Sequence, residues 1–233
     1  MNTAAKILPI AMFGGSFNPV HRGHIRCMSV AHGFALLDLI YMVPAYISPF
    51  KQIDMADDTQ HRLNMCKLAT KDYPYVEVCD LEISRGGVSY SIDTVKQLLL
   101  QGVLRYEGAD VHTELIEGFG TDLENVDQSG CGYKINMIVG ADMLKDMDKW
   151  HNSDVLLSMV RLIVINRPVE FEAKKVASAF EDALYIDVEA LDIASADIRE
   201  MLARGCEEEL YEYLDKDVFS YIKENALYGC KAR

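Results

Sequence analysis

Two histidines three residues apart across a glycine, His21 and His24, follow the pair Gly14-Gly15 in the stretch GGSFNPVHRGH at residues 14–24. Glycines at the end of a strand let backbone N–H groups approach an anion closely, and the N-terminus of a following helix adds about half a positive charge. At the head of such a helix both imidazoles can point into one space and offer N–H donors to one anion. Phosphate binding is the chemistry this combination suits. The stretch is not a Walker A loop, since no G-x-x-x-x-G-K-[ST] occurs, and it is not a G-x-G-x-x-G turn. On the residues alone two other readings stay open: histidines paired by chance, or half of a zinc site awaiting further ligands.

The elements that must position this turn are legible in the hydrophobic pattern. KILPIAMF (6–13) is an apolar run closed by Gly14-Gly15, which predicts a buried strand. RGHIRCMSVAHGFALLD (22–38) puts Ile25, Met28, Ser29, Ala31 and Ala35 on one helical face, and LIYMVP (39–44) is a second strand. Strand, helix, strand is the opening unit of a parallel sheet. The alternation continues with a helix over 58–72, a strand over 75–83 (YVEVCDLEI) and a helix over 91–102. Strand KINMIVG (134–140) precedes helix ADMLKDMDKW, and strand RLIVIN (161–166) ends at Arg167-Pro168. Near-continuous apolar strands separated by helices predict a parallel α/β sheet covered on both faces. After ALYIDV (183–188) come the helical SADIREMLARG and DVFSYIKENALYG, with Gly205 and Gly229 as C-terminal stops. One domain over 1–233, with a helical subregion over 189–233, is the expected organisation. The acidic, glycine-containing segment 103–133 is too long for a plain connection and is expected to be a mobile insertion.

Composition narrows the partners. A chain of 233 residues, half hydrophobic and a quarter charged, is an ordinary globular composition. A net charge of −13 argues against a broad nucleic-acid or anionic-membrane surface, so any anionic ligand must be met by a local cluster. No run approaches the ~20 apolar residues of a spanning helix, and the first residues lack a cleavable signal's pattern, so the expected compartment is the cytoplasm. Six scattered cysteines without a C-x-x-C pair read as reduced thiols.

The motif GGSFNPVHRGH resembles the G-[GT]-[ST]-F-[DN]-P-x-H-x-G-H signature of the HxGH nucleotidyltransferases, and within them the chain is similar to the nicotinate-nucleotide adenylyltransferases. The likeness runs on through SRGGVSYSIDTVKQL (84–98), MIVGADMLKDMDKW (137–150), VINRP (164–168), IASADIREML (193–202) and YIKENALYG (221–229), in the family's order. It implies a Rossmann-like doubly wound sheet with a small C-terminal helical part. It further implies transfer of the adenylyl group of ATP to nicotinate mononucleotide, giving deamido-NAD and pyrophosphate, with Mg²⁺ carried by the ATP phosphates rather than by protein ligands. His21, His24 and Arg199 are the implied catalytic groups. Gly14, Gly15, Ser16, Phe17, Gly23, Gly140, Asp142 and Ser195 complete the ATP site, with Ser195 and Arg199 four residues apart on one helix face as a triphosphate clamp. On the residues alone Ser195 also reads as an N-cap and Arg199 as a surface charge, and Asp142 as an N-cap; the run of matching blocks favours the clamp.

The acceptor side falls by the same resemblance to Tyr90, Ser91 and Trp150 for the pyridine, with Lys51 and Arg167 near the phosphates. Trp150 also reads as ordinary packing, and Lys51 as a solvated loop lysine. Asn18 stands where many bacterial relatives carry Asp, and relatives that use nicotinamide mononucleotide carry Asn, which leaves a nicotinamide-specific or dual-specific enzyme as the alternative. A phosphopantetheine adenylyltransferase fits less well, because that family is shorter and lacks the GAD…W and RP blocks. A regulator that kept the pocket without turnover is a rival of another class. Homo-oligomerisation is left open.

Overall fold

The computed structural model describes residues 6–49, 59–106, 133–166, 182–188 and 193–230. Six parallel strands are hydrogen-bonded in one sheet: β1 (Lys6–Gly15), β2 (Leu39–Pro44), β3 (Val76–Val78), β4 (Tyr133–Gly140), β5 (Val160–Asn166) and β6 (Leu184–Asp187). Their spatial order is β3-β2-β1-β4-β5-β6. The order reverses between β1 and β4, and in a doubly wound sheet the crevice beyond the carboxyl ends of those two strands is where ligands bind. Gly15 ends β1 and Gly140 ends β4, so the two glycines flank that crevice.

Burial on both faces explains the uninterrupted apolar strands. Along β1 successive side chains alternate: Ala11 and Phe13 join one core, Leu8, Ile10 and Met12 the other. The first core is completed by α1 (Arg22–Ala35) and α2 (Thr59–Thr70), and by α6 (Ser195–Arg204), α7 (Glu207–Tyr213) and α8 (Lys216–Glu224) of the C-terminal part. On the opposite face lie α4 (Ser91–Tyr106), α5 (Ser153–Met159) and a 3₁₀ segment, Ala141–Lys149. The expected helical cap is therefore a second layer on the same side of the sheet as α1.

Pro9 sits inside central strand β1, where it can give no ladder N–H. The β1–β4 register shifts between Ile7 and Ala11, and the buried amide of Asn136 on β4 fills the irregularity, its Nδ2 donating to Leu8 O and Ile10 O, each at 2.9 Å. Its Oδ1 accepts from Arg161 Nε at 2.7 Å. Replacing Asn136 by Leu would leave two buried carbonyls short of a donor. The expected cost is about 2–4 kcal/mol, read as a fall in melting temperature on the order of 5–15 °C.

Several expected boundaries are corrected. The strand expected over 75–83 stops at Val78, and Leu81–Arg85 forms a short helix, α3, entered at Asp80 and ended by Gly86-Gly87, both at positive φ. ADMLKDMDKW winds as a 3₁₀ rather than an α-helix. Helix α7 was not anticipated; α6 does stop at Gly205, in the left-handed region at φ +76°. Gly229 lies in a separate 3₁₀ turn, Leu227–Gly229, because the last helix ends at Glu224. Of the segment 103–133, residues up to Tyr106 belong to α4 and Tyr133 begins β4; residues 107–132, on which the expected insertion falls, lie outside the described residues.

Candidate functional site

A cavity of about 460 Å³ opens at the carboxyl ends of β1 and β4. One bank is the turn after β1, with Gly14, Gly15, Ser16, Phe17, Gly23 and His24; the other carries Tyr90, Ser91 and Trp150, and Gly140 and Asp142 close the β4 side. Eleven of the residues expected on both substrate sides thus face one space, because the first and fourth strands are neighbours in the sheet although their last residues, Gly15 and Gly140, are 125 positions apart in the chain.

His21 begins α1 as its N-cap, and its backbone N–H donates to Nδ1 of His24 at 3.2 Å. A ring nitrogen that accepts from an N–H carries no proton, so on the neutral ring the proton sits on Nε2. His24 is thereby fixed in the tautomer that offers an N–H donor, and its ring lines the cavity. The two imidazoles are packed with centroids 3.7 Å apart, and the Phe17 ring meets His24 edge-on at 5.0 Å. His21, 3 % exposed, lies behind His24 and does not itself line the cavity. A side chain at Gly23 would bring its Cβ to 3.0 Å from the His21 ring, so the glycine between the histidines gives that ring its place.

Asp142 is not an N-cap: that position belongs to Gly140, and Asp142 lies in the first turn of the 3₁₀ segment with its carboxylate folded back over Gly140. A Cβ at Gly140 would fall on Asp142 Oδ1, so a side chain there would push the carboxylate from this position. Tyr90 packs on His151 with ring centroids 4.3 Å apart, and both line the cavity beside Trp150.

Ser195 and Arg199 are brought to the same turn by α6. Ser195 follows the N-cap Ala194 rather than being the cap; its Oγ donates to Pro19 O at 3.0 Å, and Arg199 Nη1 donates to Asn18 O at 2.7 Å. Tyr228 OH donates to Asn18 Oδ1. Three side chains of the C-terminal part therefore converge on Asn18-Pro19, and neither Ser195 nor Arg199 is among the cavity-lining residues. Asn18 is likewise turned toward Tyr228 and does not line the cavity. Lys51 and Arg167 lie outside the described residues.

Two groups went unseen in the sequence. Glu82, on α3, lines the cavity at 4 % exposure, where Thr94 Oγ1 donates to its Oε1 at 2.7 Å. Burial raises its pKa above the usual carboxylate value, against the lowering influence of hydrogen bonds from Thr94 and Ser89 and the charge of Arg85. The signal that would have found it is Asp80 before and Gly86-Gly87 after LEISR, a helix start and stop read instead as part of a strand. Arg62, wholly buried on α2, gave no signal, because nothing in a helical pattern separates a buried arginine from a solvated one.

The model of the family described as cytidylyltransferase-like matches residues 12–201. Over 226 residues the chain is 31% identical to a probable nicotinate-nucleotide adenylyltransferase of Roseiflexus sp., covering 94% of this chain and 98% of that one. It is 29% identical to a protein of the same description from Clostridium tetani, with the same shares covered. Among solved structures, a Plasmodium falciparum nicotinic acid mononucleotide adenylyltransferase complexed with NaAD superposes with a TM-score of 0.72 over 98% of this chain and 100% of that one. At 18% identity that likeness speaks for the fold, in agreement with the strand order.

Proposed function

Because the chain belongs to the cytidylyltransferase-like family and, within it, to the nicotinate-nucleotide adenylyltransferases, we propose that its cavity joins ATP to nicotinate mononucleotide, giving deamido-NAD and pyrophosphate. The observation that carries this is the single space in which the glycine–histidine turn faces Tyr90, Ser91 and Trp150. An oxygen of the acceptor's 5′-phosphate forms a bond to the α-phosphorus of ATP as the bond from that phosphorus to the leaving pyrophosphate breaks. The nucleophile arrives already charged, so no general base is needed and the protein's work is positioning and neutralisation.

In this reading the backbone of Gly14–Phe17 and the Nε2–H of His24 meet the phosphates, with His21 holding the His24 ring from behind. Asp142 takes an adenosine hydroxyl, Tyr90, Ser91 and Trp150 receive the pyridine, and Lys51 and Arg167 add positive charge near the phosphates. Ser195 and Arg199 act at the turn from the C-terminal side, Arg199 supplying charge to the triphosphate. Among the described residues no three His, Cys, Asp or Glu side chains gather to hold a metal, and Mg²⁺ belongs in this proposal with the phosphate oxygens of ATP. Bound there it would draw charge from the leaving pyrophosphate. As part of the same proposal the enzyme works in the cytoplasm; no described helix is long and apolar enough to cross a membrane.

Incubation with ATP and Mg²⁺ and each acceptor in turn, followed by pyrophosphate release, tests the reading. Nicotinate mononucleotide is expected to give a kcat/KM at least about tenfold above nicotinamide mononucleotide, the order of discrimination that a few polar contacts to one substituent supply. Silence with both would overturn the reaction; reversed preference would overturn the acceptor alone.

A further inference from the structure

We propose that Arg62 is a positioning residue for adenylyl transfer, its buried guanidinium setting the backbone on both banks of the cavity without lining it; the inference rests on the reaction proposed above. Arg62 is 0 % exposed. Its Nη1 donates to Ser16 O at 2.8 Å, and its Nη2 donates to Tyr46 O at 3.3 Å and reaches Thr59 Oγ1 at 3.4 Å. Ser16 is the residue after Gly15 in the turn that carries the phosphate donors. In a trans peptide the carbonyl and the next N–H point in opposite directions across one plane. Holding Ser16 O toward α2 therefore aims the Phe17 N–H away from α2, and Ser16 and Phe17 both line the cavity.

The second carbonyl ties in the other bank. Tyr46 N–H donates to Ser89 Oγ at 2.9 Å, and Ser89 N–H donates to Ile47 O at 2.8 Å. Ser89 immediately precedes Tyr90 and Ser91 and is itself bonded to Glu82. A continuous run of partly buried polar contacts thus leads from the glycine turn through Arg62 and Tyr46 to the acceptor side. Charged donors hold a carbonyl more firmly than neutral ones, and the planar fork of Arg reaches two carbonyls at fixed spacing where a lysine has one mobile centre. A displacement of ~1 Å in such a site is enough to cost on the order of a hundredfold in rate.

The test compares wild type, Arg62→Lys and Arg62→Met in steady-state kinetics with ATP and nicotinate mononucleotide, alongside thermal melting. Expected is a loss of about a hundredfold in kcat per folded molecule for Arg62→Met, carried by kcat more than by the KM for ATP, with Arg62→Lys recovering part of it. A purely structural arginine would lower the melting temperature and leave the kcat of the folded fraction near wild type. Turnover within about twofold of wild type in both variants would overturn the proposal, as would failure of both to fold. Absence of turnover in the wild type would instead overturn the reaction on which it rests.

Discussion

Replacing His24 by Ala is expected to lower the turnover number by about 10²–10³-fold with little change in melting temperature. The size follows from the ring's fixed state: Nδ1 is occupied by the His21 N–H, so Nε2 is held as a donor before substrate arrives. A donor placed in advance needs no reorganisation as charge moves to the leaving pyrophosphate, and in a concave site partly shielded from water it counts for more than in solution. Stability should survive because His24 is half-buried at the edge of the cavity, whereas His21 is enclosed beneath it. His21→Ala therefore makes the informative contrast: it removes the packing that seats His24 and is expected to cost both melting temperature and turnover. Turnover near normal in His24→Ala would remove this histidine from the chemistry.

Arg199→Ala carries the second large effect, an expected loss of about a hundredfold in kcat/KM for ATP. The guanidinium holds the carbonyl of Asn18 at 2.7 Å from the first turns of α6, and Arg199 is not among the cavity-lining residues. Two roles are then separable. As a tether, Arg199 would share its effect with Ser195, whose hydroxyl holds the neighbouring Pro19 carbonyl at 3.0 Å. As a source of charge for the triphosphate, it would act alone, since Ser195→Ala leaves every positive charge in place. Kinetics of the two alanine variants at low ionic strength and in ~0.5 M salt distinguish them: a charge role predicts that only the Arg199 site shows salt-sensitive ATP use. Equal losses for both variants, insensitive to salt, would assign Arg199 to the tether.

How far the site was legible depended on how far apart its parts lie in the chain. Gly14, Gly15 and His24 are within one turn and helix start, and local periodicity placed them correctly. Glu82 was hidden because VEVCDLEIS satisfies a strand pattern as well as it does the strand-and-helix pair that the chain forms, and the deciding influence is the glycine pair that ends α3. The 3₁₀ winding of Ala141–Lys149 was unreadable for a similar reason: its apolar Ala141, Leu144 and Met147 recur every three residues, a spacing that an α-helical stripe also permits. The hold of Ser195 and Arg199 on the carbonyls of Pro19 and Asn18 was beyond reach of spacing altogether.

The sequence by itself determined the alternating strands and helices, the parallel two-faced sheet, the anion-suited turn after the first strand and, through its run of matching blocks, the family. These rest on local periodicity, turn residues and order along the chain, which are written in neighbouring positions. Only the tertiary structure decided that β1 lies beside β4, that the C-terminal part grips Asn18-Pro19, that Asn136 repairs a proline in the central strand, and that a buried arginine ties the two banks of the cavity together. Each of these joins residues distant in the chain through hydrogen bonds accepted mainly by backbone carbonyls, and a carbonyl is present at every position. No residue type announces which carbonyl will be met; packing alone selects it.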